Sequence, residues 1–303
     1  MTAPPGTVRV LWNPAAGRGR GARHIAGILE AFARHGVGDH RATQAPGDET
    51  RVVHEAIADG IETIVVAGGD GTWSKCAVAL ARAGSPARMA FIAAGTGNDF
   101  GKNLRVDTHD VRAVAALVAS GGVVRRVDLG RVEDNWFLNV AGFGFDATVL
   151  AASNRIRAIG GPAVYVYAAL RELRRYEGFE ARLAGAGNAD DGWARRLLVV
   201  FSNGRAFGGA FRIAPPARID DGLLDAIVCG DTSWTARLPL LLRALRGTHL
   251  THPQVQHATN ASFTLELHSS AAYELDGELM RTTGTTVTVA VVPGALRVLD
   301  APG

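Results

Sequence analysis

The chain has 303 residues, 47% hydrophobic and 20% charged, with a formal net charge of +3. That is enough apolar material for two packed domains and too little positive charge to point to nucleic acid. No uninterrupted apolar run reaches the ~18 residues of a bilayer span, and Cys76 and Cys229 form no CxxC or Cys/His zinc pattern. "MTAPPGTVRVLW" lacks the basic and apolar regions of a signal peptide, so a cytoplasmic protein is expected. "THLTH" brings His249 close to His252, but no further ligand cluster supports a metal there.

In chain order, strands alternate with helices as far as residue 122. "TVRVLWN" (7–13) is an apolar strand. "GARHIAGILEAFARHG" (21–36) has Ile25, Ile28, Leu29 and Phe32 at helical spacing and stops at Gly36. "DHRATQ" (39–44) is a short strand and "DETRVVHEAIADG" (48–60) a helix. The pattern repeats as "IETIVVAG" (61–68) with "TWSKCAVALARAG" (72–84), and "RMAFIAAG" (88–95) with "DTHDVRAVAALVASGG" (107–122). Near-continuous apolar strands in repeated strand–helix units predict a parallel sheet covered on both faces.

The pattern then changes. "VVRRVDLGRVEDNWFLNVAGFGFD" (123–146) predicts two strands joined by an Asp134-Asn135 turn, followed by helices near 146–159 and 162–176. Further strands are expected at "FEARLAGA", "RRLLVVFSNG", "LLDAIVCG", "ASFTLELHS", "AYELDGEL" and "TTVTVAVV", with a turn at "GNADDG" (187–192) and one helix, "SWTARLPLLLRALRG". This predicts an α/β fold: an N-terminal Rossmann-like parallel-sheet domain over 1–128 and a C-terminal β-sandwich domain over 129–303. The tail from about 294 is expected to pack back on the first domain.

Three glycine-bearing segments follow predicted strands: "NPAAGRGRG" (13–21), "GGDGT" (68–72) and "GTGND" (95–99). In an open parallel sheet, ligands bind beyond the carboxyl ends of strands. Glycine lets backbone N–H groups face a phosphate, and a following helix adds its positive end. Three such loops favour a polyphosphate. A plain tight turn is the ordinary reading of any one of them. "GRGRGA" also fits a dinucleotide fingerprint, but Pro14 and Ala15 lengthen the turn and no acidic residue ends the second strand. No P-loop is present; "GKN" at 101–103 fails at both ends. A carboxylate among phosphate-binding amides needs a bridging cation. Asp70 is therefore a candidate Mg²⁺ or water-network ligand, with Asp99 second; helix N-capping is the plainer role for Asp99.

The sequence resembles the diacylglycerol kinase catalytic-domain family, especially the soluble bacterial lipid kinases, with sphingosine kinases as relatives. The carrying residues are Asn13-Pro14 with Gly17, Thr43 ahead of Gly47-Asp48, Gly68 to Thr72, Gly95 to Phe100, "NVAGFG" (139–144), Asn203 with Gly208-Gly209, "IAPPARIDDGLLD" (213–225) and "LDGE" (275–278). The resemblance implies an ATP- and Mg²⁺-dependent kinase that phosphorylates a lipid with a free hydroxyl. It implies ATP held by Thr43, the segment Gly68, Gly69, Asp70, Gly71, Thr72, Trp73, Ser74, and Thr96; Asn13, Gly17, Asn98 and Asp99 complete the expected nucleotide site. It implies Mg²⁺ at the backbones of Arg218 and Leu223 and the carboxylate of Asp221, and Glu278 as proton acceptor; Asp70 joins Glu278 in the expected catalytic set. Ser74-Lys75 departs from the family's Asn-Glu at that place, and a Gly triplet is reduced to Gly208-Gly209-Ala210.

Two segments, 155–176 and 234–247, combine Arg with apolar residues and suit an anionic bilayer surface, although core-facing packing with Arg in solvent is the plainer reading. The expected partners are a lipid substrate and the inner face of a membrane, not nucleic acid; a homodimer is allowed for. A kinase of a soluble acceptor such as NAD, and a nucleotide-binding regulator without catalysis, are the alternatives.

Overall fold

A computed structural model describes residues 6–156, 163–185 and 192–303. The first five residues of the leader reading, the 157–162 stretch of the two helix expectations, and all but the last residue of the "GNADDG" turn lie outside them. The chain divides into two compact units: one runs to Asp128 and takes back Gly294–Gly303, and the other is Leu129–Pro293.

The first unit is a parallel sheet. Strands β1 (Val8–Trp12), β2 (His40–Ala42), β3 (Thr63–Gly68) and β4 (Arg88–Ala93) lie in the order β4-β3-β1-β2, all parallel. Helices α1 (Ala16–Ala33), α2 (Asp48–Ala58), α3 (Asp70–Arg82) and α4 (Val111–Ser120) complete the alternation. Side chains of a strand alternate between faces. Val65, Ala67, Ala90 and Ile92 therefore meet Ile28 and Phe32 of α1 and Val114 and Val118 of α4 in one core. On the other face the Trp73 ring of α3 meets Phe91 edge-on at 5.2 Å.

The returning segment belongs to this unit by specific bonds. Strand β15 (Thr286–Asp300) ends with Arg297 and Val298 paired to Arg88 and Met89 of β4. Asp300 is fully buried; its Oδ1 accepts the Arg105 and Val106 N–H groups at 2.8 and 3.1 Å, and its Oδ2 meets Arg125 at 2.7 Å. The Asp128 carboxylate accepts the Gly294 N–H at 2.7 Å.

The second unit is antiparallel. Strand β5 (Val123–Val132) enters it and pairs with β6 (Asn135–Phe137). A run β14 (Glu278–Arg281), β13 (Ala272–Leu275), β7 (Val140–Gly144), β9 (Ala194–Ser202), β8 (Phe179–Ala184), β12 (Ser262–Leu267) and the first part of β15 follows, each paired with the next. Strand β10 (Leu224–Gly230) pairs with β9 and β11 (Val255–Asn260). Phe143, Phe201, Phe263, Tyr273, Val287 and Val289 fill a core between strands, as a sandwich requires. A second core lies under α5 (Phe145–Ser153), α6 (Ala163–Glu172) and α7 (Trp234–Arg246), with Val140, Val200 and Ile227 beneath Val149, Ala169 and Leu240. The α/β fold with a Rossmann-like first domain and a β-sandwich second domain is thus observed.

Three local expectations change. The first glycine segment is not a loop over 13–21: α1 already begins at Ala16, with Gly17 and Gly19 at φ +59 and +86° in its first turns. The hairpin after β5 turns at Glu133-Asp134, because Val132 pairs with Asn135 and Glu133 takes φ +53°. Two expected strands there are three. Strand β15 runs through Pro293-Gly294, between the stretch paired to β12 through Ala290 and that paired to β4.

Candidate active site

In the first unit the carboxyl ends of β2, β1, β3 and β4 stand side by side, so the segments at Thr43, Asn13, Gly68 and Gly95 are neighbours. The Thr43 N–H donates to Trp12 O at 2.9 Å, and the Asn13 N–H to Ala67 O at 3.1 Å. Asn13 Nδ2 donates to Thr72 Oγ1 at 2.9 Å, and its Oδ1 accepts the Ala15 N–H at 2.8 Å. One asparagine thereby joins the first loop to the second. The second and third loops touch through bare backbone. A Cβ on Gly95 would lie 2.4 Å from the Gly69 Cα, and one on Gly69 would lie 2.9 Å from the Gly95 Cα. Real Cβ atoms do not approach backbone that closely, so this contact requires glycine on both sides.

The carboxylate of Asp70 has a defined task here. As first residue of α3, it accepts the N–H groups of Asp99 and Phe100 on Oδ1 at 2.6 and 3.2 Å. It ties the third loop to the helix that follows the second, so a brace accounts for the residue as directly as cation ligation does. Asn98, at φ +49°, closes the third loop on itself by accepting the Gly95 N–H at 3.1 Å. Asp99 precedes a short 3-10 helix (Phe100–Asn103) but makes no side-chain cap; its Oδ1 meets Lys102 Nζ at 2.5 Å. Thr96 and Gly71 are exposed, while Thr72 and Ser74 are buried. The Trp73 indole is fully buried and donates to Val66 O at 3.1 Å, so its ring is core and not part of a ligand face. The rim that remains is amide-rich, with the positive end of α3 at its centre. That is chemistry for an anion.

The second unit presents its own row. Register places Leu275 opposite Ala141, Val140 opposite Ser202, and Ser202 opposite Asp225, so the ends of β13, β7, β9 and β10 lie at one edge. Asp276 is the fastener. Its carboxylate accepts the N–H groups of Leu138, Asn139 and Val140 at 2.6, 2.9 and 2.9 Å. Asn203 Nδ2 donates to Leu138 O at 2.8 Å, and Asn139 Nδ2 to Ala206 O at 2.9 Å. Asp276 and Gly277 take φ +47 and +88°, the left-handed pair that a two-residue hairpin turn needs. Glu278 follows at once, exposed, as the first residue of β14. Sequence reading singled out Glu278 and passed over Asp276; Asp-Gly between two alternating runs was the available signal. Replacing Asp276 by alanine strands three amides at once. We expect a stability loss of at least about 2 kcal/mol, seen as a lower urea midpoint, because bonds to a charged acceptor are the stronger kind.

The expected cation loop enters β10. Asp221 is exposed and its Oδ1 accepts the Leu223 N–H at 3.1 Å over Gly222, at φ +74°. One carboxylate with the carbonyls of Arg218 and Leu223 is an all-oxygen set, which suits a hard cation that keeps several waters. Among the described residues no three His, Cys, Asp or Glu side chains gather as a metal site. The strand order β14-β13-β7-β9-β10 separates Glu278 from this loop by four strand spacings, about 19 Å along the sheet.

Comparison with known proteins fits this arrangement. Residues 7–132 match the diacylglycerol kinase catalytic domain, and residues 139–300 match the YegS C-terminal NAD kinase beta sandwich-like domain. The chain therefore belongs to the diacylglycerol kinase catalytic-domain family. It is 31% identical to a diacylglycerol kinase of Mycobacterium tuberculosis, over 97% of this chain and 95% of that one. It is 33% identical to a probable lipid kinase YegS-like of Pseudomonas aeruginosa, over 85% of this chain and 83% of the relative. In fold it resembles the crystal structure of a diacylglycerol kinase from Bacillus anthracis, with a TM-score of 0.74 at 24% identity, covering 98% of this chain and 97% of the other. Lipid-kinase relatives on both halves make this chain a member of a phosphotransferase family.

Proposed function

We propose that the chain is an ATP- and Mg²⁺-dependent lipid kinase that moves the γ-phosphoryl group to a lipid hydroxyl. The observation that carries this reading is the bare-backbone contact Gly69–Gly95 at the start of α3, which brings two strand-end segments against the positive end of that helix, as a phosphate site would need. The lipid oxygen bonds to the γ-phosphorus as the bond to ADP breaks, and the Glu278 carboxylate takes the hydroxyl proton. Magnesium, when bound, neutralises phosphate charge; Asp221 and the carbonyls of Arg218 and Leu223 would hold a cation in the second unit. A lipid acceptor is favoured over a soluble one by a cavity of about 530 Å³ in the second unit, lined mainly by small and apolar residues such as Ala147, Ala151, Phe179 and Leu279 beside Arg155 and Glu172. The test is phosphate transfer from ATP with Mg²⁺ to a panel of dispersed lipids, with products identified by mass. Transfer to lipid alone supports the reading. Transfer to NAD or a sugar phosphate, or ATP binding without turnover, overturns it.

The acceptor reaches such an enzyme from a bilayer, and α7 has the polarity for one. Its inward Arg237 is 5% exposed and held by Asp231 at 2.5 Å and by the Leu173 and Tyr176 carbonyls. Outward, Trp234, Leu238 and Leu242 are 52, 38 and 45% exposed at a spacing of four, with Arg243 and Arg246 among them. No acidic residue lies in α7. Arg174 sits over the Trp234 ring at 5.7 Å, and α6 adds exposed Tyr167 and Leu170. A helix face of Trp, Leu and Arg complements an anionic bilayer. Changing Trp234, Leu238 and Leu242 together to alanine is expected to weaken pelleting with anionic vesicles by at least about tenfold while keeping activity on detergent-dispersed lipid. Unchanged vesicle binding, or a dimer that the triple variant dissolves, would assign the stripe to another partner.

A further inference from the structure

Two carboxyl groups in the second unit have no part in the reaction above. Asp146, second residue of α5, is 4% exposed, and Glu274 of β13 is 1% exposed. Among the described residues, neither oxygen of Asp146 nor Oε2 of Glu274 meets a hydrogen-bond donor. Two buried carboxyl groups set side by side with no other donor stay together only when a proton lies between them.

The place is built for the pair. Gly142 of β7 stands opposite Glu274 in the strand register. A Cβ on Gly142 would lie 1.6 Å from Asp146 Oδ2, so the Asp146 carboxyl fills the room that any other residue at 142 would occupy. The remaining Glu274 oxygen, Oε1, accepts the Gly277 N–H at 2.7 Å. Gly277 is the last turn residue before Glu278. The chain of contact is therefore Asp146 to Glu274 to Gly277, with Asp276 anchoring the same turn on the other side.

We propose that Asp146 and Glu274 form a strut with one shared proton that sets the Asp276-Gly277 turn and so aims Glu278; both are positioning residues. This rests on the reading of Glu278 as proton acceptor. Burial raises Asp146 to about 6 and pushes Glu274 well above the ordinary carboxylate range, with Asp146 and Asp276 adding to the rise. The other charged or titratable groups nearby are Glu278 on the hairpin, and Arg155, Glu172 and Tyr176 around the adjoining cavity. Neither β7 nor the paired half of β9 contributes any. Raised carboxyl values stabilise the fold when protonated. That contribution is full below the ordinary carboxylate range and is lost as pH rises through about 6 and beyond.

The test uses the whole chain and three readouts. Wild type is expected to melt at lower temperature as pH rises from 5 to 8, and Glu274→Gln, which carries its own N–H to Asp146, flattens that slope. Gly277 amide exchange is slow in wild type and Glu274→Gln, and fast in Glu274→Ala. Glu274→Ala lowers kcat by about tenfold or more, with the acceptor KM unchanged, and Glu274→Gln restores most of it. Should Glu274→Ala not fold, Asp146→Asn against Glu274→Gln reads the same slope and exchange. A wild-type melting slope that the Gln variant leaves unaltered, normal Gly277 protection in Glu274→Ala, or an effect confined to the acceptor KM overturns the strut. Full activity in Glu278→Gln overturns the reading of Glu278 instead, and leaves the slope and the exchange as they are.

Discussion

Glu278→Gln is expected to lower kcat by about 10²- to 10⁴-fold with little change in the melting temperature. The residue is exposed at the first position of β14, so its side chain fills no core. The turn before it is held by Asp276 and by the Gly277–Glu274 bond, neither of which the substitution touches. Glutamine keeps the size and loses only the capacity to take a proton. A base acts on the hydroxyl in the transition state, so the loss belongs in kcat and not in the KM for ATP. Steady-state rates at saturating ATP and dispersed lipid measure it. An undiminished kcat would move the proton acceptor elsewhere.

Gly95→Ala is expected to have the next largest effect, at least about a tenfold loss of ATP affinity with about 1–3 kcal/mol of stability. The added methyl meets the Gly69 Cα at 2.4 Å and Asn98 Oδ1 at 2.8 Å. A backbone atom cannot swing aside as a side chain does, so the second and third loops must part. Asp70 then loses its line to the Asp99 and Phe100 amides. Gly71 is the control. It has ordinary φ and no atom within 4 Å of an added Cβ, so Gly71→Ala costs the empty fold nothing sterically. If phosphate lies against that turn, Gly71→Ala keeps its melting temperature without ATP and loses the upward shift that ATP gives the wild type. An equal ATP shift in wild type and both variants would remove these loops from the nucleotide site.

The first domain was the more legible half. Apolar strands, helices ending at glycine and loops at strand ends are local signals, and they placed β1, β3, β4 and the loop at 95–99, while the expected turn at 68–72 is the end of β3 running into α3 at Asp70. The partners inside those loops were not legible. Asp70 bonds to amides twenty-nine and thirty positions away, and Asp276 to amides well over a hundred away. No periodicity carries such information. Trp73 was grouped with the nucleotide by its place in a motif. Yet Trp73, Cys76, Ala77 and Leu80 fall on one helical face, which was the sign of burial. Asp146 and Glu274 were invisible for another reason: polar residues beside a turn read as solvated, and only the register shows that Gly142 makes room between them. The first glycine segment misled because its glycines lie in the early turns of α1 and not in a loop.

The bonds of Asp300 bear on how the molecule is made. Residues near Asn103 and Arg125 are synthesised early, yet the carboxylate that ties Arg105, Val106 and Arg125 together comes almost two hundred positions later in translation. At roughly 5–20 residues per second, the nascent first unit waits many seconds with Leu299's place in its core unfilled. Ribosome-bound chains stalled before that point should be digested by protease at α4, while chains released whole should resist.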